Sequence, residues 1–207
     1  MKSCLILDRS GRRGPKSERP RTHVQLPRTA ASLRAHTMSV SDQYAQAKGT
    51  AMADTKITVA ALRSVLRDPS ENLALLRSTA ERAKADGARM LFAPELMLTG
   101  HGGHPQMADN AEPVPDGPLA QAVLAMSAEL DIAICVGIAE LDTSDLQIYN
   151  SQFVVDKGEY LGLQRKINLS GDEYVFFGPG TEVPVFDLGG LRFGITICCA
   201  SITLYVG

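Results

Sequence analysis

Between residues 56 and 140 the chain alternates two hydrophobic rhythms. KITVAAL (56–62) is almost continuously apolar, as in a strand buried on both faces. In DPSENLALLRSTAERAKADGA (68–88), Leu73, Leu76, Ala80 and Ala83 recur every three or four positions, the period of a helix with one buried face. The same stretch carries its own end signals. Asp68 predicts the N-cap, Pro69 the first helical position, Glu71 the third residue of a capping box, and Gly87 the left-handed stop. RMLFAPE (89–95) predicts a second strand closed by Pro94. After a Gly/His/Pro-rich loop (100–118) come a second helix, PLAQAVLAMSAELD (118–131), and a third strand, IAICVGIAE (132–140). The pattern then changes. QIYNSQFVVD (147–156) and YLGLQRK (160–166) flank Lys-Gly-Glu, while VPVFDL (183–188) and LRFGITICC (191–199) flank Gly189-Gly190, and each pair reads as a hairpin. The order predicts an α/β fold: a mixed β-sheet, antiparallel in its later part, flanked by helices. GPGTE (178–182) follows no strand-to-helix pattern suited to phosphate binding and reads as a turn.

Composition narrows the class. With 207 residues, 44% hydrophobic and 21% charged, the chain has material for a substantial core. A net charge of −2 predicts no general affinity for nucleic acid or acidic membranes. The apolar runs are too short to span a bilayer, which predicts a soluble protein. Cys4, Cys135, Cys198 and Cys199 show neither a disulfide framework nor a paired CxxC metal signature. A reducing, cytoplasmic setting without a metal follows. His101 and His104 in the loop are a weak metal signal and read as solvent-exposed or substrate-facing.

The charge is uneven. Residues 1–37 hold nine basic side chains against two acidic ones, Asp8 and Glu18. Such a start has the composition of an organelle transit peptide. The reading preferred is that residues 1–54 form a basic extension, disordered or spurious, with Met38 and Met52 as alternative initiators, and that residues 55–207 form the functional domain.

Three strand-end positions bear reactive side chains: Glu95, Lys166 and Cys198. Singly, each has a duller explanation: an exposed terminal carboxylate, a solvated basic pair with Arg165, a buried core thiol. Together, FAPELMLTG with Glu95, LQRKINL with Lys166 and GITIC with Cys198 resemble the three signature blocks of the nitrilase, or carbon–nitrogen hydrolase, superfamily. IYNSQFVVDKGEYLG (148–162) and GDEYVFFGPGTEVPVFDLGGLRFG (171–194) resemble the segments around them.

The resemblance implies a nitrilase-like α-β-β-α sandwich and a Glu-Lys-Cys catalytic triad. Cys198 would be the nucleophile, forming a thioester-type intermediate. Glu95 would be the general base, and Lys166 the cation that stabilises the oxyanion. The backbone N–H of Cys199 would be a second oxyanion donor, and Glu173 a residue positioning Lys166 or the substrate. Alternation along a strand separates Cys198 from Cys199, and Cys135, inside an apolar strand, reads as core. No metal or organic cofactor is implied. The partner is a small-molecule amide or nitrile, with amidase or N-carbamoyl-type activity favoured over true nitrilase activity. A complete member is expected to be a homo-oligomer.

Two departures from the family qualify this. After Cys198, relatives usually carry an aromatic and then an acidic residue, where this chain has Cys199 and Ala200. The chain also stops before the family's last strands and helix, which predicts a C-terminally truncated sandwich. An alternative reading is therefore an inactive fragment that only associates with full-length relatives. Acyl transfer to an amine, or a glutaminase module, is a further variant of the same chemistry.

Overall fold

The computed structural model describes residues 55–101 and 109–198, all within the compact unit Thr50–Gly207. The expectations for residues 1–54, His104 and Cys199 lie outside the described residues. β1 (Ile57–Val59), α1 (Pro69–Ala85), β2 (Met90–Phe92), α2 (Pro118–Leu130), β3 (Ala133–Asp142), β4 (Gln147–Asp156) and β5 (Glu159–Arg165) follow in the expected order. They build one five-stranded sheet in the spatial order β1-β2-β3-β4-β5. β1, β2 and β3 are parallel, whereas β4 and β5 are added antiparallel. The switch in hydrophobic pattern after residue 140 is therefore the switch from crossover connections to hairpins. A short 3-10 helix (Gly171–Val175) and a separate hairpin, β6 (Phe186–Leu188) with β7 (Leu191–Phe193), complete the described chain.

The helix signals act where the sequence puts them, except that the reciprocal half of the capping box does not form, the Asp68 N–H going to Val65 O instead. Asp68 accepts the N–H of Glu71 at 3.0 Å, Pro69 opens α1, and Gly87 adopts a φ of 79° beyond its end. Gly117, the N-cap of α2, has no side chain to offer. A carboxylate from the preceding loop takes over: Glu112 accepts the N–H of Ala120 at 2.8 Å.

Each face of the sheet has its own core. Odd positions of β4, Phe153 and Val155, pack with Leu91, Ile134, Val136 and Ile138 against Leu76, Ala80 and Ala83 of α1 and Val123 and Met126 of α2. Even positions face the other way. There Met90, Ala133, Cys135 and Val154 lie under Phe186, Leu188, Ile195 and Ile197. Phe193 meets Phe92 edge-on at 5.9 Å and stacks on Phe186 at 5.4 Å.

Four local expectations are corrected. KITVAAL is not a strand buried on both faces: only Ile57–Val59 is paired, at the edge of the sheet, with Ile57 and Val59 40% and 80% exposed. The strand predicted over 191–199 ends at Phe193. Beyond it the alternation survives as burial alone, with Ile195 and Ile197 6% and 4% exposed between exposed Gly194, Thr196 and Cys198. Apolar residues at every second position record which side meets the core, and here they do so without a ladder. The strand predicted from 183 begins only at Phe186, since Val183 and Val185 point to solvent. GPGTE is not a turn. Gly178 donates to the carbonyl of Ile148 and Gly180 to that of Lys166, both at 2.8 Å, so this segment runs alongside the sheet.

Candidate active site

Glu95 stands just past β2, where the chain turns. The turn is stitched to neighbouring strands by main-chain bonds: Ala93 N–H to Cys135 O at 2.8 Å, Gly137 N–H to Pro94 O at 3.2 Å, and Leu98 N–H to Gly137 O at 3.0 Å. Gln152 Nε2 adds a bond to Ala93 O at 2.8 Å. Gly137 is required by this approach, because a Cβ there would lie 2.6 Å from Pro94 O. Leu96 takes the left-handed backbone conformation, φ 51°, and is fully buried. A side chain held in that region marks a turn over-determined by its surroundings. The outcome is a fixed Glu95 carboxylate, 17% exposed.

Lys166 follows β5 directly. Its N–H donates to Asn150 O at 2.8 Å and its carbonyl accepts from Gly180. In register, Gln152 faces Gln164 and Ser151 faces Arg165. Lys166 therefore continues the even-numbered face of β4, while Arg165 looks to the helices. The Lys166 side chain is 1% exposed, and its Nζ lies 2.7 Å from Glu95 Oε1 and 2.8 Å from Glu173 Oε1.

Glu173 sits in the 3-10 helix and divides its oxygens. Oε2 accepts the N–H and hydroxyl of Ser170, at 2.8 and 2.9 Å, which closes a capping box and leaves Oε1 for Lys166. Burial, the largest influence on Glu173, pushes its carboxyl up, but Lys166 and the two Ser170 donors outweigh it and hold the group below its ordinary value. For Lys166, burial pulls the ammonium down. The hydrogen bonds and charges of Glu173 and Glu95 together reverse that and raise it.

Of the expected site residues, the structure brings Glu95, Lys166 and Glu173 into one cluster. Cys198 is exposed and carries a φ of 48°, at the end of the segment whose Ile195 and Ile197 are pegged into the same sheet face. Cys198 lies beyond the last strand, and the expected separation from Cys199 falls outside the described residues. Cys135 is core as expected, and burial pushes its thiol up to about 12 against a small opposing pull from Gln152. The expectation of a solvated pair for Arg165 is corrected, since it forks onto Glu140 and Asp142.

One member escaped the sequence reading. Asn150, 0% exposed in β4, donates from Nδ2 to Glu95 Oε1 at 2.7 Å and to Glu173 Oε1 at 3.2 Å. The available signal was a polar residue in step with Gln152 and Val154, on the face of the strand opposite Phe153 and Val155. Among the described residues no group of three or more His, Cys, Asp or Glu is disposed to hold a metal ion. No helix among them is long and apolar enough to cross a membrane.

A carboxylate, a dehydrated ammonium and a second carboxylate at the edge of a sheet can exchange a proton with a neighbouring nucleophile and stabilise developing negative charge. Known proteins bear on that arrangement. A nitrilase from Pyrococcus abyssi is 30% identical over 146 residues, covering 69% of this chain and 55% of the relative. Among solved structures, an amidase from a Nesterenkonia species superposes with a TM-score of 0.62 at 25% identity, covering 70% of this chain and 55% of that one. A glutamine-dependent NAD+ synthetase from Acinetobacter baumannii superposes with a TM-score of 0.64 at 26% identity, covering 74% and 29%. The chain thus spans about half the length of the nitrilase and the amidase it matches. The nitrilase-like α/β fold is common to these proteins and this one. Carbon–nitrogen hydrolases match residues 56–203, well over half of the sequence, and the chain belongs to that family.

Proposed function

We propose that residues 55–207 form a hydrolase domain acting on non-peptide carbon–nitrogen bonds of small molecules, as an amidase or N-carbamoyl-type amidohydrolase, through Glu95, Lys166 and Cys198. The observation that carries this reading is the Lys166 ammonium, almost entirely removed from water and held between two carboxylates. Burying a lysine costs several kcal/mol by order of magnitude, and a family whose members break carbon–nitrogen bonds supplies a use for it.

In this mechanism Glu95 takes the proton of the Cys198 thiol as the sulfur adds to the amide carbon. Its Oε1 is already engaged by Lys166 and Asn150, so Oε2 is the oxygen assigned to the proton. The C=O electron pair moves onto oxygen, where the Lys166 ammonium and the Cys199 N–H stabilise it. Collapse expels the amine, which takes the proton from Glu95 and leaves a thioester. Water, deprotonated by Glu95, then attacks the thioester. The carboxylic acid leaves and the thiol is restored. Glu173 holds the ammonium in place from the far side.

The test is direct. The full chain, assayed with small primary amides, should release ammonia, and Cys198→Ala should abolish the release while leaving the thermal transition in place. Ammonia release that survives Cys198→Ala would remove the thiol from the mechanism. A chain that melts cooperatively yet releases none would instead favour a non-catalytic role in association with longer relatives.

A further inference from the structure

We propose that Asn150 is the positioning residue of this site: its side-chain amide ties both carboxylates to fixed places around the Lys166 ammonium, and its carbonyl holds the lysine main chain. The inference rests on the hydrolytic reading above and deepens it. Three observations converge on this residue. Asn150 is fully buried in the middle of β4. Its Nδ2 donates to Oε1 of Glu95 and Oε1 of Glu173, the same two oxygens that accept from Lys166 Nζ. Its carbonyl accepts the Lys166 N–H at 2.8 Å. The four side chains close a ring of alternating donors and acceptors. A carboxylate held by a single donor can swing about that bond. Held by two donors from different elements, it cannot turn without breaking one.

The direction of the amide follows from charge. Reversed, it would set Oδ1 against two carboxylate oxygens, so Nδ2 must face them. Among the described residues that choice gives Oδ1 no hydrogen-bond partner. The neutrality of the residue also matters. With Glu95, Glu173 and Lys166 all ionised, the cluster carries an excess negative charge. A second cation at position 150 would cancel it, whereas an amide fixes the carboxylate without adding charge.

Three substitutions in the full chain test this, with propionamide as the hydrolysis probe. Asn150→Leu keeps the branched skeleton, with more bulk, and removes the donors. Asn150→Asp keeps the shape and replaces donors with acceptors. Asn150→Ser restores one short donor. We expect kcat to fall roughly 30- to 300-fold in Asn150→Leu with KM within about threefold, a larger loss in Asn150→Asp, and partial recovery in Asn150→Ser. A folded Asn150→Leu or Asn150→Ser chain that keeps kcat within about threefold overturns the proposal. A second readout needs neither turnover nor a folded leucine variant. In proton–nitrogen correlation spectra of the wild type, both Asn150 side-chain amide protons should lie downfield. Glu95→Gln should move one of them and Glu173→Gln the other. If the wild type leaves propionamide intact, the hydrolytic reading fails on its own account and the spectrum decides alone. Separate responses of the two protons then uphold the bridge, and a pair insensitive to both substitutions overturns it.

Discussion

Arg165 turns to the helix-covered face of the sheet and Lys166, its neighbour, to the other, and each cation meets two carboxylates. Arg165 forks onto Glu140 at 2.6 and 3.0 Å, reaches Asp142 at 2.7 Å, and lies 3.8 Å over the ring of Tyr149. Its side chain is 27% exposed, and Glu140 beside it is 5% exposed. Glu140 first, and Asp142 after it, outweigh the effect of burial and raise the guanidinium further above an already high value. A planar fork that never gives up its proton makes a clamp. Lys166 is a point charge with rotatable donors, more deeply buried, between carboxylates that each keep a second anchor: Asn150 for Glu95, Ser170 for Glu173. One neighbour fastens the end of β5, and the other is the one to which the proposed mechanism gives a chemical task. Equal counts of charge do not decide which is which. The side of the sheet, the geometry of the cation and the partners of its partners do.

The sharpest way to break this comparison is to delete each cation in turn. Lys166→Met should lower amide turnover by at least about 10²–10³-fold, the loss typical of removing a principal oxyanion donor, and leave a folded chain. Arg165→Leu should do the reverse. It strands a buried Glu140 carboxylate, so stability should drop by about 2–3 kcal/mol, less than for a fully buried pair because Arg165 is partly exposed. Turnover measured well below the lowered melting temperature should change little. If the two substitutions had interchangeable effects, the division into clamp and reactive group would be wrong.

A smaller effect sharpens the contrast from the side of the backbone. Gly137→Ala forces a methyl into the main chain at Pro94, so the turn carrying Glu95 must shift. We expect a loss of about 1–3 kcal/mol in denaturant melts and a drop in turnover larger than that in Arg165→Leu. Unchanged turnover would show that the turn adapts without moving Glu95.

The smallest effect is one of pH. Glu173 is held below its ordinary 4.5, so its contribution to stability is present above the unfolded value and lost as pH falls through the folded one. Lys166 is held above its ordinary 10.5, so its contribution is present below that value and lost as pH rises through the folded one. The melting temperature of the wild type minus that of Lys166→Met should therefore be greatest between about pH 5 and 10 and shrink on either side. A difference that does not vary with pH would uncouple the ion cluster from folding.

Much of this molecule could be read from its sequence, for physical reasons that also mark where reading stops. α1 was legible because cap, period and stop agreed from Asp68 to Gly87, and β4 because the Lys-Gly-Glu turn marked where it folds back onto YLGLQRK. The stretch after Phe193 kept the alternation but not the pairing, since periodicity reports burial and not hydrogen bonds. Glu95, Lys166 and Glu173 were legible through the family blocks around them. Asn150 was not. Its part depends on lateral register, on where Lys166 and the Glu95 turn fall beside β4, and no single segment encodes that.

The two isoleucines before Cys198 set up a lever. Because they anchor the segment by filling space in an apolar layer, the sulfur's location depends on hydrocarbon volume several residues upstream. Shaving a methylene from either one would let Cys198 drift while the sheet beneath stayed whole. Aim and integrity of the fold are thereby governed by different atoms, so selection could retune the first without endangering the second.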